Sequence, residues 1–245
     1  MGKMIDLGES NKLSAYLAEP EIAPKGAIIV IHEVWGLNDH TKSVADRLAS
    51  EGYIALAPSL IDFDELKDVD TDQLQKDLFN PETRNEVQPK LREIMAPMHA
   101  PDFAVNTMAS LQEHFDYLNG LDGLSGKVAV MGFCFGGSYS YSLAISEPNL
   151  KIALAFYGHC DQSIDDLKKI KCPVRAYIGD QDERLITALP DLTKRMEAAE
   201  VDFQSIIYKD AGHAFFNDSN PYAYNEAAAK DSWVQVKMEL AKVFS

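Results

Sequence analysis

The 245-residue sequence has only three cysteines, Cys134, Cys160 and Cys172, and no CxxC spacing. Three thiols cannot all pair within one chain, so neither a disulfide scaffold nor a cysteine-rich zinc or dithiol site is expected. No apolar run approaches the roughly 18 residues that a membrane-crossing helix needs, and residues 1–7 lack the apolar core of a signal peptide. The Met1-Gly2 start does not complete an acylation pattern, since Asp6 stands where Ser or Thr is wanted. The expected setting is the cytoplasm, with reduced thiols and no membrane partner. Basic residues are also scarce: 23 Lys and Arg against 38 Asp and Glu give a formal net charge of -15. Such a field repels nucleic acid, which is therefore not an expected partner. Acidic residues cluster in 62–72 and 161–166, read as solvated surface. None of the histidines forms an HxH or HxxxH pair, so no metal site and no cofactor are expected.

What is present is a rhythm of short apolar runs and helix-like segments. The runs 27–31, 53–57, 128–131, 152–156, 174–178 and 203–208 are rich in Val, Ile and aromatics and mostly lack strict alternation. That pattern fits strands covered on both faces. Helical spacing fills 40–50, 102–118, 135–146, 187–200 and 222–243, as parallel strands require for their crossovers. The expected fold is α/β, one domain over 1–245 with a mostly parallel central sheet and helices on both faces. Residues 13–17 add an antiparallel strand at the edge. The stretch 61–101 breaks the rhythm, being acidic and carrying Pro81, Pro89, Pro97 and Pro101. It reads as an excursion with two short helices around Leu74 and Leu91, of a length often used for a lid or pocket wall.

The segment Gly132-Phe133-Cys134-Phe135-Gly136 follows an apolar strand and opens a helix. This is the setting of a nucleophile elbow, with Cys replacing the usual Ser. Gly132 and Gly136 leave room for strand and helix to pass closely. A helix amino terminus favours negative charge, so Cys134 is the candidate nucleophile and the Phe135 N–H a candidate oxyanion donor. Gly179-Asp180-Gln181-Asp182 and Ala211-Gly212-His213 each follow a strand, so their side chains gather at strand carboxyl ends. The order nucleophile, acid, histidine is that of the α/β-hydrolases. His213 suits proton transfer and Asp182 suits its orientation, with Asp180 the rival acid. In the loop His32-Glu33-Val34-Trp35-Gly36-Leu37, the Val34 N–H is the second candidate oxyanion donor. Glu33 is the carboxylate that would disfavour resting thiolate. His32 closes its strand and reads as a hydrogen-bonded core histidine or a buttress of the site rather than as a catalytic group.

These motifs together resemble the dienelactone hydrolase family of α/β-hydrolases, a resemblance that runs through nearly the whole chain and is weakest in 61–101. It implies a hydrolase of a small lactone or carboxylic ester acting through a cysteine thioester. It also implies that Glu33 pairs with the resting thiol and swings away when substrate binds. Members that open carboxylate-bearing dienelactones hold the carboxylate with arginines, one of them four residues after the catalytic histidine. Here that position is Asn217, which leaves Arg84 or Arg92 to take the role. Trp35 and Phe215 are candidate pocket residues. The alternatives are a thioester or xenobiotic ester hydrolase of the same fold, and a non-catalytic binding protein that uses Cys134 as a redox-sensing thiol. The sequence sets no oligomeric state.

Overall fold

The computed structural model describes residues 2–8, 13–61 and 69–245, so part of the acidic stretch 62–72 lies outside the described residues. Eight strands form one sheet in the order β1-β2-β4-β3-β5-β6-β7-β8. They are β1 (Lys3–Asp6), β2 (Ser14–Ala18), β3 (Ala27–Ile31), β4 (Ile54–Pro58), β5 (Val128–Phe133), β6 (Ala153–Phe156), β7 (Val174–Gly179) and β8 (Phe203–Tyr208). β1 and β2 join antiparallel, and every pairing from β4 to β8 is parallel. The helices are α1 (Asp39–Ser50), α2 (Thr71–Phe79), α3 (Arg84–Ile94), α4 (Phe103–Gly120), α5 (Phe135–Ser146), α6 (Ile164–Leu167), α7 (Glu183–Ala198) and α8 (Glu226–Val243).

The central strands β3 to β7 are buried at every residue, which explains their unbroken apolar runs. Alternate side chains serve opposite faces. Ile28 and Val30 pack in one core with α1 and α8, whereas Ile29 and Ile31 pack in another with α4 and α5. A smaller cluster gathers Trp35 with Leu74 of α2 and Ile94 of α3, so these two helices rest on the loop that follows β3.

Three expectations are corrected. β2 is antiparallel as expected but is not the edge, because β1 pairs outside it. The run Lys-Met-Ile-Asp keeps only Ile5 partly buried, so β1 carries no apolar signal. α7 begins at Glu183 rather than 187, because Asp182 accepts the Leu185 N–H and caps it. α8 begins at Glu226 under an Asn225 cap rather than at 222.

The elbow shows why glycine is needed at its two flanks. A Cβ on Gly132 would meet the Gly136 carbonyl, and one on Gly136 would meet the Ile31 carbonyl of β3. Neither neighbour is a flexible side chain, so strand and helix would have to separate. Gly136→Ala is expected to cost more than about 4 kcal/mol, beyond an ordinary core substitution. Urea unfolding checks it, and a loss within about 1 kcal/mol, the size of an ordinary substitution, would contradict the steric reading.

Candidate active site

Four parallel strands deliver the site from their carboxyl ends. β5 ends in Cys134, which has φ 53 and ψ -108, backbone that an L-residue occupies only under strain of about 1–3 kcal/mol. The strain is held by backbone bonds on either side, from Cys134 N to Phe156 O at 3.0 Å and from Ser138 N to Cys134 O at 3.1 Å. Cys134 caps α5 without using its side chain, which leaves the thiol free for His213. The two side chains stand close enough for Cys134 to raise the pKa of His213.

β7 and β8 bring the acid and the histidine. The loops after them are tied by Asp180 N to Tyr208 O and Gln181 N to Ala211 O, both 2.9 Å. Asp182 is buried, and its Oδ2 accepts from His213 Nδ1 at 2.6 Å, which leaves Nε2 for the thiol. Burial is the largest influence on His213 and works against its charge. Its interactions with Cys134 and with the carboxylate of Asp182 more than reverse it, so the pKa stands well above the ordinary value. The ring is enclosed by neighbours, yet 36% of its side chain remains open, which gives a substrate access. Asp180, the rival acid, is exposed and has no side-chain contact with His213 among the described residues.

The loop after β3 supplies the rest. Glu33 is buried, and its carboxylate accepts from Gln75 Nε2 and Asn217 Nδ2, each at 2.9 Å, and from Tyr157 OH at 3.1 Å. All three donors are neutral, and none is the thiol. The expected direct pairing of Glu33 with Cys134 is therefore replaced by an indirect one through Tyr157. That phenol is raised well above its ordinary pKa by burial first, then by the charges of Glu33 and Cys134. Asn217 thus binds Glu33, and its Oδ1 accepts from Ser219. The N–H groups of Val34 and Phe135 have no hydrogen-bond partner among the described residues.

Other expected pocket residues fare differently. Phe215 is fully buried among Phe156, Tyr157 and Tyr208, so it is core, its aromatic ring being shared with the sheet rather than a cavity. Trp35 is buried against the excursion, not open to solvent. Arg84 and Arg92 are exposed on α3, in water, with no contact to the triad among the described residues. Sequence reasoning missed Gln75 and Tyr157, whose contacts with Glu33 span 42 and 124 positions. Only the position of Tyr157 just beyond a strand end hinted at a role. The thiols of Cys160 and Cys172 are buried, which raises both pKa values, that of Cys172 to about 12.

Two surface hollows, of about 740 and 280 Å³, lie away from this arrangement and include none of Cys134, Asp182 and His213. Among the described residues, no helix is long and apolar enough to cross a membrane.

The family model for the dienelactone hydrolase family matches residues 13–244. A Saccharolobus solfataricus protein with the provisional name carboxymethylenebutenolidase is 35% identical over 95% of each chain. One from Salmonella typhimurium, provisionally named alike, is 31% identical over 92% of this chain and 81% of its own. A crystal structure from Klebsiella pneumoniae, provisionally named a dienelactone hydrolase, superposes with a TM-score of 0.79 over 98% of both chains at 24% identity, a likeness of α/β-hydrolase fold.

Proposed function

This chain belongs to the dienelactone hydrolase family, and on that premise we propose that Cys134, His213 and Asp182 open a small lactone or ester through a thioester. Membership makes the chain a carboxylic ester hydrolase acting on a small molecule. The observation that supports the thiol mechanism is the unbroken chain of contacts from Cys134 through His213 to Asp182 at the ends of β5, β8 and β7.

In this reading, His213 takes the thiol proton and the sulfur attacks the substrate carbonyl. The carbonyl oxygen becomes an oxyanion between the Val34 and Phe135 N–H groups. As the C–O bond breaks, His213 returns the proton to the departing alkoxide. Water then gives its proton to His213 and attacks the thioester, and cleavage of C–S releases the acid and restores the thiol. Ester and water balance the products, so the reaction consumes no further reactant. Within one domain, α2 of the excursion walls the site through Gln75. Three free cysteines favour a reducing cytoplasmic setting.

Glu33 restrains the thiolate through its negative charge, which bears on the same Tyr157 phenol as Cys134 does. Glu33→Gln is expected to speed alkylation of Cys134 by iodoacetamide at pH 7 by about threefold or more. The rate is followed by peptide mass mapping, with the buried Cys160 and Cys172 as internal controls. Equal rates in the two proteins would reduce Glu33 to a brace of its loop. Hydrolysis of a panel of lactones, oxygen esters and thioesters by wild type and Cys134→Ala tests the reading as a whole. Turnover of lactones or esters that disappears with the thiol supports it, and turnover that survives removal of the thiol overturns it.

A further inference from the structure

His32 is fully buried, and both ring nitrogens are committed. The backbone N–H of Leu60 points at Nε2 at 3.1 Å, and Nδ1 lies 2.6 Å from the Glu33 carbonyl oxygen. A backbone N–H can only donate, so Nε2 must carry a lone pair. A carbonyl can only accept, so Nδ1 must carry the proton. A single neutral tautomer satisfies both contacts, and a protonated ring would face the Leu60 N–H with a second donor. Burial points the same way, lowering the His32 pKa to about 4.

The carbonyl that His32 holds belongs to the peptide linking Glu33 to Val34. That peptide is trans, so its C=O and N–H project to opposite sides. Fixing the carbonyl inward on the imidazole therefore fixes where the Val34 N–H points. The Gly36 N–H reaches the same carbonyl only at 3.3 Å, a longer and weaker restraint. His32 also touches the other half of the site. Its ring stacks on Phe135 at 5.8 Å with an interplanar angle of 10°, and its carbonyl accepts the Gly136 N–H at 3.1 Å. That second bond removes Gly136 as a donor and leaves Phe135 N–H free at the start of α5.

We propose that His32 is a positioning residue which, as the Nδ1–H tautomer, locks the Glu33–Val34 peptide so that the Val34 N–H faces the substrate oxyanion. The proposal rests on the reading of Val34 and Phe135 as the oxyanion donors of a thiol hydrolase. His32 does not touch substrate and exchanges no proton during turnover.

Two substitutions separate this role from plain core packing. In His32→Asn the side-chain amide stands near the Nδ1 position and can still donate to the Glu33 carbonyl. In His32→Gln the amide reaches the Nε2 position and can meet Leu60, but leaves that carbonyl unheld. Both remove ring volume from the same buried place. His32→Gln is expected to lower kcat about a hundredfold, the scale of one lost oxyanion donor, with KM within about threefold of wild type. Affinity for a trifluoromethyl ketone, which forms a tetrahedral adduct with the thiol, should weaken in parallel. His32→Asn is expected to retain at least about ten times more kcat than His32→Gln. Equal losses in the two variants, or a ketone affinity that stays constant while kcat falls, would overturn the proposal. The wild-type protein supplies a test independent of folding. ¹⁵N spectra of His32 should show the neutral Nδ1–H form from pH 6 to 9, and an Nε2–H or doubly protonated ring overturns the assignment. If Cys134→Ala keeps its activity, the thiol reading itself has failed. If that variant is inactive while His32→Gln equals wild type, only the positioning role has failed.

Discussion

Replacing Cys134 by alanine is expected to reduce ester and lactone hydrolysis by about four orders of magnitude or more, with the fold intact. The size follows from the role, since among the described residues no second thiol and no serine hydroxyl is paired with His213 to take over the attack. The survival of the fold follows from the surroundings. The thiol makes no capping bond to α5, and the bonds that hold the elbow run through the Cys134 backbone N–H and carbonyl, which alanine keeps. The left-handed φ of 53 costs alanine much what it costs cysteine. Activity and Tm measured on one preparation check both halves. An inactive protein with unchanged Tm supports the nucleophile assignment, and activity within tenfold of wild type sinks it.

Asp182→Asn is expected to lower kcat by about 10⁴, whereas Asp180→Asn should stay within about threefold of wild type. Asparagine is the informative choice because Asp182 has two duties. One carboxylate oxygen caps α7 at the Leu185 N–H and the other accepts from His213 Nδ1. Asparagine caps helices as well as aspartate does, so α7 should persist. Its amide nitrogen cannot accept from Nδ1–H, so the imidazole turns to the tautomer that points a proton, not a lone pair, at the thiol. The titration of His213 should also move down, because the substitution removes both the hydrogen bond and the charge by which Asp182 raises it. NMR titration of the imidazole reads that shift directly. A larger loss from Asp180→Asn would reverse the assignment of the acid.

Legibility in the sequence followed the range of the interaction. β3 and β8 lie where their apolar runs stand, and α5 begins and ends where its strand-turn-helix segment does. Their signals are local: continuous burial in β3, a run of aromatic and β-branched residues in β8, which is only partly buried and so is not covered on both faces as expected, and a turn whose steric demand is written in Gly132 and Gly136. β1 is hard to read in the sequence because it has only four residues, of which Ile5 alone is partly buried against the core. The start of α7 was displaced because the first turn after the Asp182 cap, Glu183 and Arg184, is polar and exposed, so the apolar period becomes visible only later.

The site divides in the same way. Cys134, Asp182 and His213 each stand just past a strand, a position that can be read without knowing the partner. The cradle of Glu33 cannot be read so, because Gln75, Tyr157 and Asn217 converge from the excursion, the end of β6 and the histidine loop. Asn217 drew notice only as a departure from arginine, and its contact with Glu33 emerged from the fold. Phe215 shows the opposite error. Core packing is the commoner role of an aromatic in such a sequence, and the Phe215 ring lies between Tyr157 and Tyr208 in the core.

The thioester is the central chemical claim, and trapping it is the most direct test. Wild-type protein mixed with 4-nitrophenyl pivalate, whose bulk slows hydrolysis of an acyl-enzyme, is quenched in acid and mapped by peptide mass spectrometry. The expected result is a pivaloyl group on the peptide containing Cys134, labile to hydroxylamine and absent from Cys134→Ala. A pivaloyl group on another residue, or a burst of 4-nitrophenol with Cys134 unmodified, would contradict the thiol mechanism.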